Sequence, residues 1–236
     1  MPKNKNLEDY SKKIGSELLA IITRSDIFER GALSNLKDQI DSIGRSSDGS
    51  FELEIPRDKP LKILKVDHEI ISEIEIACII KGKITEFGEL NFSQYSMEIT
   101  FWSDNPDFCY REHLDAESIG MRIRNGEAVK RIIFRYHFDM KKESAEIKEP
   151  LFHFHLGGEM VDDCCLMWHP SSLCEPRIPY PPMDPFLIID LTLRNFCVRS
   201  MYSIYENPRW RDNIQICYNL FQKRFDQLQL HQSLFA

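Results

Sequence analysis

The sequence lacks any apolar run long enough to cross a membrane, which takes roughly 18 or more consecutive apolar residues. Its first residues, from Met1 to Asp9, are mostly polar and include two lysines, and no apolar stretch of signal-peptide length follows them. From these two absences we expect a cytoplasmic protein that is not secreted and does not bind a membrane.

The sequence also lacks an excess of positive charge. Its 30 Lys and Arg residues are outnumbered by 37 Asp and Glu residues, which gives a formal net charge of −7. Sequence-independent binding to duplex DNA normally needs many cations, because they must displace condensed counterions. We therefore expect no bulk binding of duplex DNA, while RNA or a nucleotide stays open as a substrate.

The sequence also lacks the cysteine pattern of a small disulfide-bonded protein. The seven cysteines are an odd number and are scattered, without the spacing of small disulfide-bonded scaffolds. Such cysteines are typical of reduced thiols in a cytosol. With 42% hydrophobic and 28% charged residues, the composition is that of an ordinary globular protein.

Apolar residues recur every three to four positions in the first 45 residues, which predicts two amphipathic helices. Gly44 would end the second helix, and a polar turn follows it. We expect residues 1–45 to form an N-terminal helical arm. The two stripes consist of Leu7, Tyr10, Ile14, Leu18 and Ile21, and of Leu33, Leu36, Ile40 and Ile43.

The hydrophobic period then changes to 2, which predicts β-strands. Alternation indicates strands at 51–55, 74–80 and 95–101, with a β-bulge near Ser93 and Gln94. The long connection that follows the third of these strands contains turn signals. It is expected to be functional or to contain a short helix.

Two further alternating runs, 131–140 and 151–156, are joined by a short charged link, which favours an antiparallel hairpin. Asp184-Pro185 and Asn207-Pro208 are helix starts, because each places a capping side chain before a proline at the first helical position. The buried helix predicted after Asp184 contains Asp190 and Arg194, which are spaced for an ion pair.

The chain is therefore predicted to be α+β, with an antiparallel β-sheet flanked by the N-terminal helical arm and by C-terminal helices. Residues 46–236 are expected to form one domain. Its sheet would occupy about 51–169 and its C-terminal helices about 184–230, where a clean apolar stripe begins at Trp210.

The predicted hairpin gathers ionisable side chains. Residues two apart on a strand share a face with their cross-strand neighbours. If the aromatic residues fill the interior, the opposite face collects Arg135, His137, Asp139, His153 and His155. Histidines act as general acid and base near neutral pH, and a guanidinium binds phosphate bidentately. Arg177, on a stiff segment before a helix start, is a second candidate for contact with phosphate.

Other interpretations of these histidines stay open. They could bind a divalent metal such as zinc, in a set formed by His153, His155, His169 and Cys174. The neighbouring pair Cys164 and Cys165 does not strengthen that set, because adjacent cysteines do not easily bind one tetrahedral metal. Alternatively, the protein has no cofactor and the histidines merely pack and hydrogen-bond on a surface.

Four segments between Arg131 and Phe196 carry a resemblance to known proteins: Phe152–Gly158, Arg177-Ile178-Pro179, Pro182-Met183-Asp184 and Arg194-Asn195-Phe196. Together they resemble a family of uncharacterised prokaryotic proteins found near toxin–antitoxin and phage-defence genes. A looser similarity connects the chain to small RNA-cleaving toxins of the TumE type, which also have an Arg-aromatic strand before a His-rich strand and a closing helix. That similarity implies the same five site positions, from Arg135 to His155.

The leading hypothesis is a cytosolic effector or accessory protein of a prokaryotic defence or toxin-type system. It would act on RNA or another phosphodiester, as a nuclease or phosphodiesterase-type hydrolase. The alternative is a non-catalytic subunit of a larger complex. In that case the terminal helices would bind a protein partner or a second copy of the chain.

Overall fold

The computed structural model describes residues 5–24, 27–46, 48–64, 66, 68–84, 90–105, 121–124, 127–140, 152–156, 178–196 and 206–222. The protein is α+β, as the sequence predicts. The described helices are α1 (Lys5–Arg24), α2 (Arg30–Ile43), α3 (Pro185–Phe196) and α4 (Pro208–Cys217), which continues into a π-helical turn at Tyr218–Gln222.

The strands form one antiparallel sheet. Its order is β1-β3-β4-β6-β7-β8, with β2 beside β3 and β5 beside β6. The strands are β1 (Ser50–Ile55), β2 (Leu61–Ile63), β3 (Glu73–Ile84), β4 (Leu90–Ser103), β5 (Met121–Arg124), β6 (Glu127–Met140), β7 (Phe152–Leu156) and β8 (Ile178–Pro179).

Helices α1 and α2 confirm the two predicted stripes, since every residue of both stripes is buried. Gly44 caps α2 in a right-handed conformation (φ −63°), not in the left-handed one expected of a glycine at a helix end. Its role is close packing instead. A Cβ at this position would lie only 2.7 Å from the Ser11 Oγ atom of α1.

The bulge predicted in β4 is confirmed. Lys81 pairs with Gln94 and Gly82 with Phe92, so Ser93 is the extra residue. Strand β2 has only three residues, which are too few to show a clear hydrophobic alternation in the sequence. In the long connection after β4, residues 121–124 form strand β5, whereas residues 106–120 lie outside the described residues, so the expected helix or functional role stays a prediction.

Both predicted helix starts are confirmed by their capping hydrogen bonds. The Leu187 N–H donates to Asp184 Oδ1 at 2.7 Å, and the Arg209 N–H donates to Asn207 Oδ1 at 2.9 Å. The expected ion pair of α3 also forms, with Arg194 Nε 2.8 Å from Asp190 Oδ1. The predicted apolar stripe of the last helix continues past 222, where it lies outside the described residues.

A single hydrophobic cluster joins all four helices to one face of the sheet. Across the sheet, that face presents rows such as Cys78, Met97, Phe138 and Phe154, which are directly paired. Because side chains alternate along a strand, the residues between them lie on the opposite face. Among the described helices, none combines the length and the apolar character needed to span a membrane.

Candidate functional site

The pairing of β6 with β7 brings the predicted site positions together. His137 lies opposite His155, and Asp139 lies opposite His153. The apolar neighbours Phe138 and Phe154 are likewise paired and belong to the hydrophobic cluster. The sequence predicts that these residues share one face of the sheet, and the observed register agrees. The register also shows which residues lie directly opposite one another, which alternation along a strand does not determine.

The same face extends across β4 and β3. Thr100 lies opposite Arg135, Glu98 opposite His137, and Ser96 opposite Asp139. Glu75 of β3 lies opposite Thr100. We call this set the polar face of the sheet; its members are Glu75, Ser96, Glu98, Thr100, Arg135, His137, Asp139 and His153, together with the register position of His155.

Burial divides the polar face. Arg135 is only 5% exposed and His153 only 4% exposed, whereas His137 and Asp139 are half-buried. A histidine that donates or accepts a proton must be reachable by its substrate. Of the two imidazoles that the structure describes on the polar face, His137 is the more accessible. The side chain of His155 lies outside what the structure describes.

Arg135 is neutralised by a carboxylate that the sequence alone did not single out. Its Nε atom lies 3.3 Å from Glu98 Oε1 and 3.4 Å from Thr100 Oγ1. Burial lowers the pKa of the Arg135 guanidinium, and the negative charge of Glu98 opposes that shift. A guanidinium remains protonated at neutral pH in spite of such a shift, so Arg135 and Glu98 form a largely buried ion pair.

Glu98 also contacts a second arginine. Arg57, in the turn after β1, places its Nη2 atom 3.1 Å from Glu98 Oε2, and its side chain is 59% exposed. The Thr100 hydroxyl donates to Glu98 Oε1 at 3.1 Å. One carboxylate is therefore shared by a buried and an exposed guanidinium, and the charge of Glu75 also acts on Arg135.

Glu75 anchors the other end of the polar face. The Trp102 indole N–H donates to Glu75 Oε2 at 2.7 Å, and Lys62 Nζ lies 3.9 Å from Glu75 Oε1. Glu75 is itself buried. These contacts satisfy a buried carboxylate with a donor and a nearby cation, which is the usual requirement for a structural charge.

His137 makes a direct contact with a serine. Its Nε2 atom lies 2.9 Å from Ser96 Oγ, which is hydrogen-bond distance. Asp139, opposite that serine, accepts the Met140 backbone N–H through Oδ1 at 2.9 Å. The accessible part of the polar face thus holds a hydroxyl, an imidazole and a carboxylate on neighbouring strand positions.

The other predicted site residues fall outside this geometry. Arg177, His169 and Cys174 lie outside the described residues. Within the described part of the chain, no three His, Cys, Asp or Glu side chains are grouped so that they could hold a metal ion. A zinc site that draws on His169 and Cys174 therefore stays a prediction.

The sequence analysis missed Glu98 and Ser96 as members of the site. Both were visible as the polar residues that alternate with Met97, Ile99 and Phe101 in a predicted strand. What sequence alternation does not reveal is which strand lies beside β6 in the sheet. The pairing of β4 with β6, two strands separated by 23 residues of chain, made them neighbours of the histidines.

A second ionisable cluster lies under the helices. Asp184 is fully buried, and burial raises the pKa of its carboxyl, although the Leu187 N–H opposes that rise. Burial and the neighbouring Asp184 likewise raise the pKa values of Tyr10 and Cys217. The three groups come from α1, the start of α3 and α4, so they join the helices and are remote from the polar face.

A cleft of about 600 Å³ lies between α2 and the β1–β2 turn. Its lining includes Glu29, Asp38, Glu54 and Asp58. Among the described residues, its lining includes no histidine.

Comparisons with protein-family models, with curated proteins and with solved structures found no match. The register, burial and contacts of the polar face are therefore the features of the protein that bear on its function.

Proposed function

We propose that the protein is a nuclease or phosphodiesterase-type hydrolase that acts on RNA or another phosphodiester at the polar face. The observation that carries this proposal is the register of β6 and β7, which pairs His137 with His155 and Asp139 with His153. The resemblance of residues 131–196 to proteins found near toxin–antitoxin and phage-defence genes supports a cytoplasmic effector or accessory role.

His137 is the proposed acid–base residue. It is half-buried, so a substrate can reach it, and an imidazole exchanges protons near neutral pH. A second imidazole at the position of His155 would allow one ring to accept a proton while the other donates one. General acid–base catalysis of this kind contributes about 10²- to 10⁴-fold to a rate.

Arg57 and Arg135 are the proposed phosphate-binding residues. Both guanidiniums contact Glu98 and together exceed its charge by one unit. A phosphate that approaches this face would meet the exposed Arg57 first, and the buried Arg135 would add its charge from below. Charge-assisted hydrogen bonds from guanidinium to phosphate oxygen are short and strong.

The test is a cleavage assay with purified protein and an end-labelled single-stranded RNA, in EDTA and, separately, with Zn²⁺, Mn²⁺ or Mg²⁺. We expect cleavage that His137→Gln and His155→Gln each reduce by about 10²-fold or more, because each removes a proton-transfer group. Glu52→Gln is the matched control, since Glu52 is an exposed polar residue of the same sheet at its β1 edge.

Cleavage in EDTA would assign the histidines to acid–base catalysis, whereas strict dependence on added metal would assign them to a metal site. Melting temperatures of the variants separate loss of activity from loss of folding. No cleavage under any condition, or equal cleavage by all variants, would contradict the proposal. Those outcomes would favour the alternative of a non-catalytic subunit of a larger complex.

A further inference from the structure

We propose that Ser96 is the nucleophile of the polar face, that His137 activates it, and that the reaction passes through a serine-linked phosphodiester. The inference rests on the proposed function, because it assumes that a phosphodiester is bound at this face. It assigns a catalytic role to a residue that sequence reasoning did not select.

The geometry of the pair carries the inference. A serine hydroxyl is a weak nucleophile until a neighbouring base removes its proton, and the two groups must lie about 2.6–3.2 Å apart. Ser96 Oγ and His137 Nε2 are 2.9 Å apart, and both side chains are half-buried rather than sealed in the core. Ser96 lies in the middle of β4 and His137 near the end of β6, and both belong to the paired part of these strands, which holds them more precisely than a loop would.

Carboxylates occupy the positions that orient such a base. When Nε2 accepts the serine proton, the neutral ring carries its own proton on Nδ1, where a carboxylate is the usual partner. Glu98 lies directly opposite His137, and Asp139 lies two residues along the same strand, opposite Ser96. The sheet therefore supplies hydroxyl, imidazole and carboxylate in one patch, with the two arginines that contact Glu98 beside it.

The chemical steps balance without a redox partner. Ser96 Oγ attacks phosphorus and gives its proton to His137 Nε2, while the bond from phosphorus to the leaving oxygen breaks. The imidazolium then protonates that leaving oxygen. In the second half, water attacks the serine-linked phosphorus and gives a proton to His137, and Ser96 recovers that proton as its ester bond breaks. The products are an alcohol and a phosphomonoester.

The inference extends the substrate class beyond RNA. In cleavage by histidines alone, the ribose 2′-hydroxyl of RNA is the nucleophile, so a substrate without it is inert. A nucleophile provided by the protein makes the 2′-hydroxyl dispensable. We therefore expect the site to accept single-stranded phosphodiesters whose sugars lack a free 2′-hydroxyl.

The experiment compares a single-stranded RNA with the same sequence fully 2′-O-methylated, in the condition that supports cleavage. We expect the wild-type protein to cleave both and Ser96→Ala to lose more than about 10³-fold on both, as nucleophile removal does elsewhere. Ser93→Ala is the matched control, because Ser93 is an exposed serine at the bulge of the same strand. In parallel, a fluorophosphonate probe should label Ser96 of the full-length protein, and His137→Gln should abolish that labelling.

The outcomes separate this inference from the proposed function. Cleavage of the unmodified RNA alone, retained by Ser96→Ala, would overturn the nucleophile and leave the proposed function standing. Labelling of Ser96 that depends on His137, without cleavage of either substrate, would support the activated serine and contradict a phosphodiester as the substrate. Absence of both labelling and cleavage would overturn both, and the labelling arm stays decisive even if Ser96→Ala fails to fold.

Discussion

Asp184 is an acidic residue that the fold removes from water. Its carboxyl is fully buried where α1, α3 and α4 meet, and one oxygen caps α3 by accepting the Leu187 N–H at 2.7 Å. The second oxygen, Oδ2, and the Tyr10 hydroxyl are also buried, and the interactions of Asp184 with Tyr10 and Cys217 oppose the effect of burial only in part. Burial disfavours the charged carboxylate, which is why the pKa of Asp184 is raised.

The raised pKa predicts how the stability of the fold depends on pH. Between the ordinary carboxyl pKa of about 4 and the higher pKa in the fold, the folded state holds a proton that the unfolded state has lost. The stabilisation from Asp184 is therefore complete below that range and declines as pH rises through it. We expect Asp184→Asn to be less stable than the wild type by under about 1 kcal/mol at pH 4, because Asn caps helices almost equally well.

At higher pH the difference should shrink or reverse, since the amide cannot ionise. Urea unfolding at several pH values between 4 and 8 measures this difference directly. Asp58→Asn, at an exposed carboxylate in the β1–β2 turn, is the control and should leave the pH profile unchanged. A constant difference between wild type and Asp184→Asn across the range would show that this carboxyl does not titrate differently in the fold.

The residues of the polar face also differ in whether their positions and partners could be predicted from the sequence. Arg135, His137 and Asp139 could be placed on one face because alternation along a strand is a local property. The partner of Arg135 could not, because Glu98 is 37 positions away and meets it only through the pairing of β4 with β6. The burial of His153 could not be predicted either, because alternation indicates on which face of the sheet a residue lies but not how exposed that face is.

At the scale of elements, the edge of the sheet is closed by a side chain of α2. Strand β1 is at the end of the strand order, so its outward backbone groups have no neighbouring strand within the part of the chain that the structure describes. The Gln39 amide supplies both partners for Glu54. Its Nε2 donates to the Glu54 carbonyl at 2.9 Å, and its Oε1 accepts the Glu54 N–H at 2.6 Å. The Gln39 side chain thus makes the two hydrogen bonds that one residue of a neighbouring strand would make.

We expect Gln39→Met to lower the free energy of unfolding by about 1–3 kcal/mol, because it removes two hydrogen bonds from part-buried backbone groups at similar side-chain volume. It should also promote self-association, since exposed strand edges pair with other chains. Urea unfolding and size-exclusion chromatography measure the two effects. Gln94→Met, at an exposed glutamine of β4, should change neither; equal effects of the two substitutions would argue against edge protection by Gln39.

Elements with strong local signals were predictable, and short or non-local ones were not. The stripes of α1 and α2, the caps of α3 and α4, and the bulge at Ser93 all follow from patterns within a few residues. Strand β2 has three residues and β8 has two, so neither is long enough to show a period. These short strands form because they pair with β3 and β7, respectively.

At the scale of the whole molecule, the N-terminal helices share their hydrophobic cluster with the sheet and with the C-terminal helices. Tyr10 of α1 packs against Phe221, with ring centroids 5.8 Å apart. Asn213 of α4 donates to Glu17 of α1 at 3.2 Å, in a buried contact between residues 196 positions apart. The sequence suggested an arm because a stripe reveals that a helix has a buried side, but not what covers it.

Adjacent leucines in α1 allow the cooperativity of these contacts to be tested. Leu18 is 0% exposed, whereas Leu19 is 47% exposed. We expect Leu18→Ala to lower the free energy of unfolding by about 2–5 kcal/mol, because it removes a buried side chain and leaves a cavity. Leu19→Ala carries the same chemical change at a surface position and should stay within about 0.5 kcal/mol.

The measurement uses two probes in one urea titration. Far-UV circular dichroism reports on all helices and strands, whereas tryptophan fluorescence includes Trp102 of β4 and Trp210 of α4, both buried and neither in the first 45 residues. If α1 is a cooperative part of the fold, Leu18→Ala moves both transitions together and keeps them coincident. If residues 1–45 unfold as a separate arm, circular dichroism shows an early transition in this variant while the fluorescence midpoint stays at its wild-type value.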